Sequence, residues 1–162
     1  TSFAPGKVLQ IINGSTSMLQ NTTSASYSDV EVSSGVTWET SITPSATSST
    51  ILVIGSVCIY NAQNGENTQQ ENRYNLHCDA KIGSGSYSSF LDQGDMGKYY
   101  YNGTTKNILD PAYRSFTKIH SPSTTSAVTY KFQYACGSAN GMKVELGGSN
   151  KTSSLTLMEI AG

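Results

Sequence analysis

An apolar run that directly follows a turn constrains the folding of this chain more than any other feature. Residues 43–49 are rich in proline, serine and threonine, and the run Ile-Leu-Val-Ile occupies residues 51–54. The run is short, uninterrupted and rich in β-branched residues, so it predicts a strand buried on both faces and not a helix. A second turn of the same pattern, Ser/Thr-Pro-Ser-x-Thr-Ser, precedes the apolar segment at residues 127–136. Each turn is expected to lead into a core strand.

Composition argues against several classes of protein. Charged residues make up only 13% of the 162 residues, the formal net charge is −1, and no cluster of lysine and arginine occurs, so nucleic acid is not expected as a partner. No stretch approaches the roughly 20 apolar residues of a membrane span, so membrane insertion is not expected. Serine and threonine form about a quarter of the chain, which disfavours long helices and favours short strands joined by turns.

Apolar and polar residues alternate with a period of two in several places. The clearest alternation covers residues 36–42, 74–82 and 128–136, and this period is typical of a half-buried strand. Weaker strand candidates occupy residues 7–12, 27–32, 86–91, 114–120, 142–146 and 155–160. The remaining long polar segments are expected to be irregular and exposed, namely residues 13–26 with a turn at Asn13-Gly14, residues 61–72 and residues 93–107.

Eight to ten short strands without a convincing helix predict an all-β protein. We expect residues 1–162 to form one domain, a single antiparallel β-sandwich of jelly-roll type. An immunoglobulin-like sandwich is the alternative. It requires the order cysteine, tryptophan, cysteine, and this order is absent because Trp38 precedes all three cysteines.

The three cysteines are predicted to be buried free thiols. Cys58, Cys78 and Cys136 are odd in number, and each lies in a strand-like run, where a free cysteine behaves as a small core hydrophobe. No Cys-x-x-Cys pair is present to suggest a metal site. The two histidines, His77 and His120, have no nearby cysteine or serine in a recognised nucleophile context. Neither a metal nor a cofactor is therefore expected.

Four framework segments carry a resemblance to a known group of proteins. They read PGKVLQ near the start, then SITPSATSSTILV, then SPSTTSAVTYKFQ, and finally SLTLMEIAG. Together they resemble the C-terminal domain found in tail-fibre and other virion structural proteins of tailed bacteriophages. The resemblance is weak between residues 61 and 107, and His120 stands where that group would place an aspartate before the Ser-Pro pair. The motifs therefore support a shared framework and not a particular site.

This resemblance implies a virion component, and most specifically the trimeric, receptor-binding tip of a tail fibre. Such a tip adsorbs to polysaccharide or another receptor on the host surface and contacts other virion proteins. The chain would then be the C-terminal part of a longer fibre, assembled in the host cytoplasm. The absence of a visible signal peptide and the reduced cysteines agree with that expectation. A purely structural head fibre, capsid decoration or tail-assembly subunit is the alternative.

Candidate binding residues lie where the framework pattern lapses. Tyr99, Tyr100 and Tyr101 are adjacent and are followed by Asn102-Gly103. An exposed tyrosine offers a flat apolar face and a hydroxyl group, which suit sugar rings and protein partners. Packing between subunits is the other interpretation of these three rings.

The polar segment at residues 61–72 supplies a second group of candidates. Asn64, Glu66 and Gln69 carry amide and carboxylate groups that can hydrogen-bond sugar hydroxyls. A solvated hairpin tip would show the same composition. These three residues, together with Tyr99 to Asn102, form the predicted ligand-binding set.

Catalysis is a further alternative, because carboxylates are plentiful near these segments. A pair drawn from Glu66, Glu71, Asp92, Asp95 and Asp110 would suit glycoside hydrolysis by a polysaccharide depolymerase. The three aspartates would also suit Ca²⁺, although a calcium loop normally concentrates more acidic ligands at fixed spacing. No motif fixes either arrangement, so the chain is predicted to be a binding protein and not an enzyme.

Overall fold

The chain folds into strands that pair with partners far away in sequence. The computed structural model describes residues 6–62, 70–101, 112–137, 143–148 and 150–162, and within these ranges every regular element is a β-strand. The strands are β1 (Val8–Thr16), β2 (Gln20–Thr22), β3 (Ser28–Asp29), β4 (Glu31–Ser33), β5 (Val36–Thr37), β6 (Glu39–Ile42), β7 (Thr50–Ala62), β8 (Gln70–Ile82), β9 (Ser88–Tyr101), β10 (Ala112–His120), β11 (Val128–Cys136), β12 (Lys143–Leu146) and β13 (Ser153–Ile160).

Strand order defines the architecture. Sheet A contains β1, β13, β7 and β10 in that spatial order, and β12 and β2 extend it along β7. Sheet B contains β6, β11, β8 and β9, with β3 beside β6 along β11. When the eight principal strands are numbered along the chain, the two orders read 1-8-3-6 and 2-7-4-5, which is the double Greek key of a jelly roll. The predicted fold class, an antiparallel β-sandwich of jelly-roll type, is confirmed.

The core lies between the inner faces of the two sheets. In sheet A, Ile51 and Val53 are fully buried, and in sheet B so are Tyr130 and Phe132. The ring of Phe116 on β10 meets Phe132 edge-on, with 5.7 Å between the centroids. This contact joins the two sheets, because each aromatic side chain removes a large apolar area from water.

All three cysteines are free, buried thiols, as the sequence predicted, and Cys78 and Cys136 belong to the core between the sheets. Burial raises the pKa of Cys78 to about 12, and burial likewise raises the pKa of Cys58. Because the thiolate is the reactive form, these two residues are unreactive at neutral pH.

Three predictions for the first part of the chain need correction. Asn13-Gly14 is not a turn, because β1 continues through it and pairs with β13 as far as Thr16. Gly14 is needed for a close approach, since a Cβ there would lie 2.1 Å from the Thr40 hydroxyl oxygen. The predicted strand at residues 36–42 is divided at the buried residue Trp38, and the predicted edge strand at residues 27–32 is divided at Val30, also buried.

The predicted irregular segment at residues 93–107 is also wrong in its first part. Strand β9 runs through it to residue 101 because β8 supplies a continuous partner. The register shifts between the pairs Tyr74–Gly97 and Leu76–Gln93, so a bulge absorbs the extra residues of β9 that spoil its alternation. At residues 61–72, β7 and β8 likewise extend to residue 62 and from residue 70, and residues 63–69 and 102–111 lie outside the described ranges.

The run at residues 51–54 is not buried on both faces. Ile51 and Val53 point into the core, whereas Leu52 and Ile54 point outward and are only half-buried. The reason is that the outer face of sheet A has no second layer over it among the described elements. In this respect the strand differs from the sequence expectation.

The two ends of the sandwich differ in the chain segments they carry. At one end, termed the turn end, short segments join β6 to β7, β8 to β9 and β10 to β11. Both Ser/Thr-Pro-Ser turns lie at this end, and so do the first and last described residues, because the amide of Gly6 donates to the carbonyl of Ala161 at 2.8 Å. The connections that follow β7, β9 and β11 leave from the opposite end.

Candidate functional site

Backbone pairing places the two predicted binding segments side by side. Gln70, Glu71 and Asn72 of β8 lie opposite Tyr101, Tyr100 and Tyr99 of β9, in unbroken register. Partners in such a ladder have Cα atoms about 5 Å apart. The polar segment and the tyrosine segment, which the sequence offered as separate candidates, therefore meet in one pair of neighbouring strands.

This pairing forms a two-stranded extension of sheet B. Strand β11 pairs with β8 only from Tyr74 onward, where its last residue, Cys136, lies opposite. Beyond that point residues 70–73 pair, among the described strands, with residues 98–101 of β9, and we term this part the β8–β9 ribbon. Of the predicted site residues, Tyr99, Tyr100 and Tyr101 lie in the ribbon. The other four, Asn64, Glu66, Gln69 and Asn102, lie outside the described residues.

The base of the ribbon is fixed to both sheets. Arg114 of β10 donates from Nε to the hydroxyl oxygen of Tyr74 at 2.6 Å, and its guanidinium carbon lies 5.5 Å from the centroid of the same ring. The amide of Gly137 donates to the carbonyl of Arg73 at 2.6 Å. A Cβ at Gly137 would lie 2.6 Å from the Cβ of Arg73, so only glycine permits this contact.

Sequence reasoning did not single out Arg114, Tyr74 or Gly137 as supports of the site. Tyr74 was recognised only as the first apolar residue of an alternating strand. Arg114 begins one of the weaker strand candidates, and Gly137 lies outside all of them. No local signal connects these residues, because the connection is made by strands from different sheets.

The charged side chains on the outer face of sheet B form ion pairs with one another. Lys131 Nζ lies 2.7 Å from an Asp29 carboxylate oxygen, and Lys81 Nζ lies 3.5 Å from a carboxylate oxygen of Glu39. Both ammonium groups sit about 4.5 Å from the ring centroid of Tyr87. Burial alone would raise the pKa of Asp29, but the hydrogen bonds from Lys131 and Gln133 outweigh it and lower the pKa. These partners make the network structural.

A concavity of about 260 Å³ lies near the turn end, lined by Phe90, His120 and three serines of residues 86–89. The ring of Phe90 already packs against His120 and Tyr130, with centroids 5.1 and 5.3 Å away, and beneath the ammonium of Lys118. Because the faces and edge of the Phe90 ring already contact these side chains, the ring is poorly placed to stack on a ligand.

The described residues contain neither a cluster suited to a metal ion nor a helix suited to a membrane. No group of three or more histidine, cysteine, aspartate or glutamate side chains close enough to hold a metal ion occurs among the described residues. No helix long and apolar enough to cross a membrane occurs in those ranges either. Of the carboxylates considered for catalysis or calcium, Asp92 is exposed on β9, and the side chains of the other four lie outside the description.

Comparison with known proteins gives a distant likeness only. No protein-family model matches the chain, and no curated protein matches it. Among solved structures, a mutant VP2 protein of infectious bursal disease virus from derived T=1 particles is 10% identical over 94% of this chain, with a TM-score of 0.43. A structure of the Gx strain of infectious bursal disease virus is 11% identical over 100% of this chain, with a TM-score of 0.40. A VP2 subviral particle gives 8% over 94%, with a TM-score of 0.43.

This chain spans less than two fifths of the length of each of those viral chains, namely 36%, 39% and 37%. The class of fold, an all-β jelly roll, follows from the strand order described above and does not depend on this likeness.

Proposed function

We propose that this protein is a bacteriophage virion component that binds the host cell surface through the β8–β9 ribbon. In this proposal it is the trimeric tip of a tail fibre, and its ligand is a cell-surface polysaccharide. The observation that carries the proposal is the register that sets Tyr99, Tyr100 and Tyr101 opposite a row of amide and carboxylate residues. Aromatic rings beside hydrogen-bonding groups suit the apolar faces and hydroxyls of sugars.

The framework resemblance supports the virion part of the proposal. The segments that carry it include both Ser/Thr-Pro-Ser turns, and these lie at the turn end, away from the ribbon. A scaffold at one end and a divergent segment at the other is the arrangement expected of a binding protein, because loops on a rigid framework carry most recognition. We propose binding without catalytic turnover.

Adsorption of the purified full chain to bacterial cells tests this proposal. The fluorescently labelled chain is incubated with a panel of strains and with an array of bacterial polysaccharides. Tyr100→Ala and Tyr101→Ala are each expected to weaken binding about tenfold, the loss typical of an aromatic contact worth about 1.4 kcal/mol.

The matched control is Tyr113→Ala. Tyr113 is a half-exposed tyrosine of β10 in the other sheet, and its removal is expected to leave adsorption unchanged. Normal adsorption by both ribbon variants would refute the site. Clearing of a host lawn by the purified chain would show that a depolymerase had been mistaken for a binding protein.

A further inference from the structure

One side of the sandwich is bordered by the last described strand of each sheet. In sheet A that strand is β10, which pairs with β7, and in sheet B it is β9, which pairs with β8. We term the gap between these two strands the β9–β10 side. The odd positions of β10 from 113 to 119 are exposed on the outside of sheet A, so the even positions point toward sheet B. The even positions therefore decide what this side presents to a ligand.

Two of these even positions carry cations, one on each side of the buried ring of Phe116. Arg114 Nε donates to the hydroxyl oxygen of Tyr74 on β8, and Lys118 Nζ donates to the backbone carbonyl of Phe90 on β9. Both side chains thus cross the gap between the sheets. Each charge also lies near the aromatic ring of the residue that it contacts, 5.5 and 4.6 Å from the ring centroid. Neither contact supplies a negative charge.

Both cations lack a carboxylate partner among the described residues. Lys131 on the outer face of sheet B lies 2.7 Å from a carboxylate oxygen of Asp29, whereas no described carboxylate lies within ion-pair distance of Arg114 or Lys118. A guanidinium has five N–H donors and an ammonium has three, and a single donor of each is hydrogen-bonded to a described group. The other donors of both groups are therefore available to a ligand.

The positive charge of Lys118 acts on its neighbour His120. Burial first, and then this charge, lower the pKa of His120 below its ordinary value of 6.5. A carboxylate paired with Lys118 would cancel most of the effect of the charge. Among the described groups, the β9–β10 side thus carries a positive potential that no carboxylate offsets, and such a potential attracts ligands of negative charge.

The position of Arg114 connects this side to the β8–β9 ribbon. Its partner Tyr74 lies opposite Gly97 of β9, and Tyr99 follows two residues further along the same strand, a distance of about 7 Å. Lys118 lies four residues from Arg114 along β10, or about 13 Å. A chain molecule that is bound to the ribbon and lies along β9 would therefore pass both cations.

We infer that the ligand of this protein is an acidic polysaccharide whose carboxylates bind Arg114 and Lys118 along the β9–β10 side. The inference rests on the proposed function for the saccharide and adds its charge. A guanidinium suits a carboxylate because two parallel N–H donors meet two oxygens, and an ammonium adds a point charge. An acidic peptide offers the same carboxylates, but the adjacent row of tyrosines in the ribbon favours sugar rings.

Binding of the full chain to polygalacturonate tests the inference. This polymer carries a carboxylate on every sugar, and the comparison polymer is the same chain with its carboxylates reduced to alcohols. Affinity electrophoresis at about 20 mM salt measures both. The acidic polymer is expected to retard the protein far more than the neutral one. This retardation should decline as salt rises to about 200 mM, where the screening length falls below about 10 Å.

Two substitutions remove the charges one at a time. Arg114→Gln is expected to weaken binding to polygalacturonate about tenfold, because a half-buried group loses charge-assisted hydrogen bonds. Lys118→Gln should weaken it about threefold, because this group is exposed. Arg114→Lys keeps the charge without the planar fork, so its affinity should lie between those of the wild type and Arg114→Gln.

The matched control is Lys81→Gln. It removes the same charge from the outer face of sheet B, where Glu39 already balances it, and it should bind as the wild type does. Circular dichroism identifies any variant that fails to fold. Lys118→Gln lies away from the base of the ribbon and keeps the test decisive if Arg114→Gln disturbs that base.

Several results would overturn the inference. These are equal binding to both polymers, no binding to polygalacturonate at about 20 mM salt, and losses in Arg114→Gln and Lys118→Gln no larger than in Lys81→Gln. Binding to polyglutamate but not to polygalacturonate would assign the cations to an acidic peptide instead. Cell adsorption is measured separately. Adsorption that depends on Tyr100 but shows no charge preference strikes only this inference, whereas loss of adsorption with polygalacturonate binding intact strikes only the proposed function.

Discussion

At position 55 the central strand of sheet A carries a glycine, and the ring of Phe116 lies where a side chain would stand. A Cβ there would lie 2.2 Å from Cε1 and 2.6 Å from Cζ of that ring. Phe116 is itself held against Phe132 of the opposite sheet, so it has no free space to move into. The absence of one side chain thus sets how closely β10 and β7 pack on sheet B.

Gly55→Ala is therefore expected to lower the free energy of unfolding by about 1–3 kcal/mol, the usual cost of overpacking a core. Urea denaturation at pH 7 measures the change. Adding Phe116→Leu to this variant should recover part of the loss, because the smaller side chain vacates the contact. An effect of Gly55→Ala below about 0.5 kcal/mol would mean that Phe116 relaxes freely.

Glycine positions also show what the sequence does not disclose at this scale. Asn13-Gly14 has the composition of a turn, yet Gly14 lies within a strand because Thr40 and Trp38 approach its backbone. The need for a glycine is imposed by residues distant in sequence, and local turn chemistry is unable to reveal it. The burial of the three cysteines, by contrast, followed from each lying in an apolar strand.

Among the strands, β8 combines two environments in one element. Its residues 74–82 lie between β11 and β9, whereas residues 70–73 pair with β9 as their one partner strand among the described elements. Local opening costs less free energy where a strand has fewer neighbours. The exchange of amides in residues 70–73 can therefore be compared with that of residues 74–82 in the same strand.

Native-state hydrogen exchange is expected to divide β8 at Tyr74. Amides hydrogen-bonded within residues 74–82 should exchange at least tenfold more slowly than those within residues 70–73, since two ladders must open instead of one. Mass spectrometry of overlapping peptides resolves the two parts. Uniform protection along β8 would show that the ribbon is braced as firmly as the sheet.

How far the sequence predicts these elements depends on where each strand finds its partner. Strand β11 has clear alternation and lies centrally in sheet B, and it was predicted with its bounds. Residues 93–101 contain two glycines and a bulge, so their alternation is lost and only the facing residues of β8 make them a strand. For the same reason, the sequence proposed two candidate segments but not their adjacency.

At the scale of the whole molecule, the buried carboxylate of Glu159 connects segments of the turn end through hydrogen bonds. Glu159 is 1% exposed and accepts hydrogen bonds from the amide and hydroxyl of Ser45, both at 2.6 Å, and from Gln10 Nε2 at 2.7 Å. Burial alone would raise the pKa of Glu159, but these hydrogen bonds outweigh it and lower the pKa below 4.5. The pKa of His120 is lowered below 6.5 by burial and by Lys118.

Both groups bind protons more weakly in the folded state than in the unfolded state, so acid favours unfolding. The free energy of unfolding is expected to be highest near neutral pH. It should fall below about pH 6.5 through His120, below about pH 4.5 through Glu159, and below about pH 3.8 through Asp29. Urea denaturation between pH 3 and 8 measures this profile.

Glu159→Gln should cost about 1–3 kcal/mol at pH 7 and flatten the profile below pH 4.5, because the charge-assisted hydrogen bonds are gone. Asp92→Asn, at an exposed carboxyl on β9, is the control and should leave the profile unchanged. A Glu159→Gln variant as sensitive to acid as the wild type would assign the low-pH loss to other carboxylates.

The hydrogen bonds that join Gly6 and Lys7 to Ala161, at 2.8 and 2.9 Å, also determine how the molecule can be mounted. Strand β7 has 13 residues and so spans about 43 Å at about 3.3 Å per residue. A bead or a reporter protein attached near Gly6 or Gly162 would therefore stand about 40 Å from the backbone of residues 99–101. Attachment near Gly6 or Gly162 therefore leaves the β8–β9 ribbon facing away from the support, which is the orientation needed to measure the proposed binding to a cell surface.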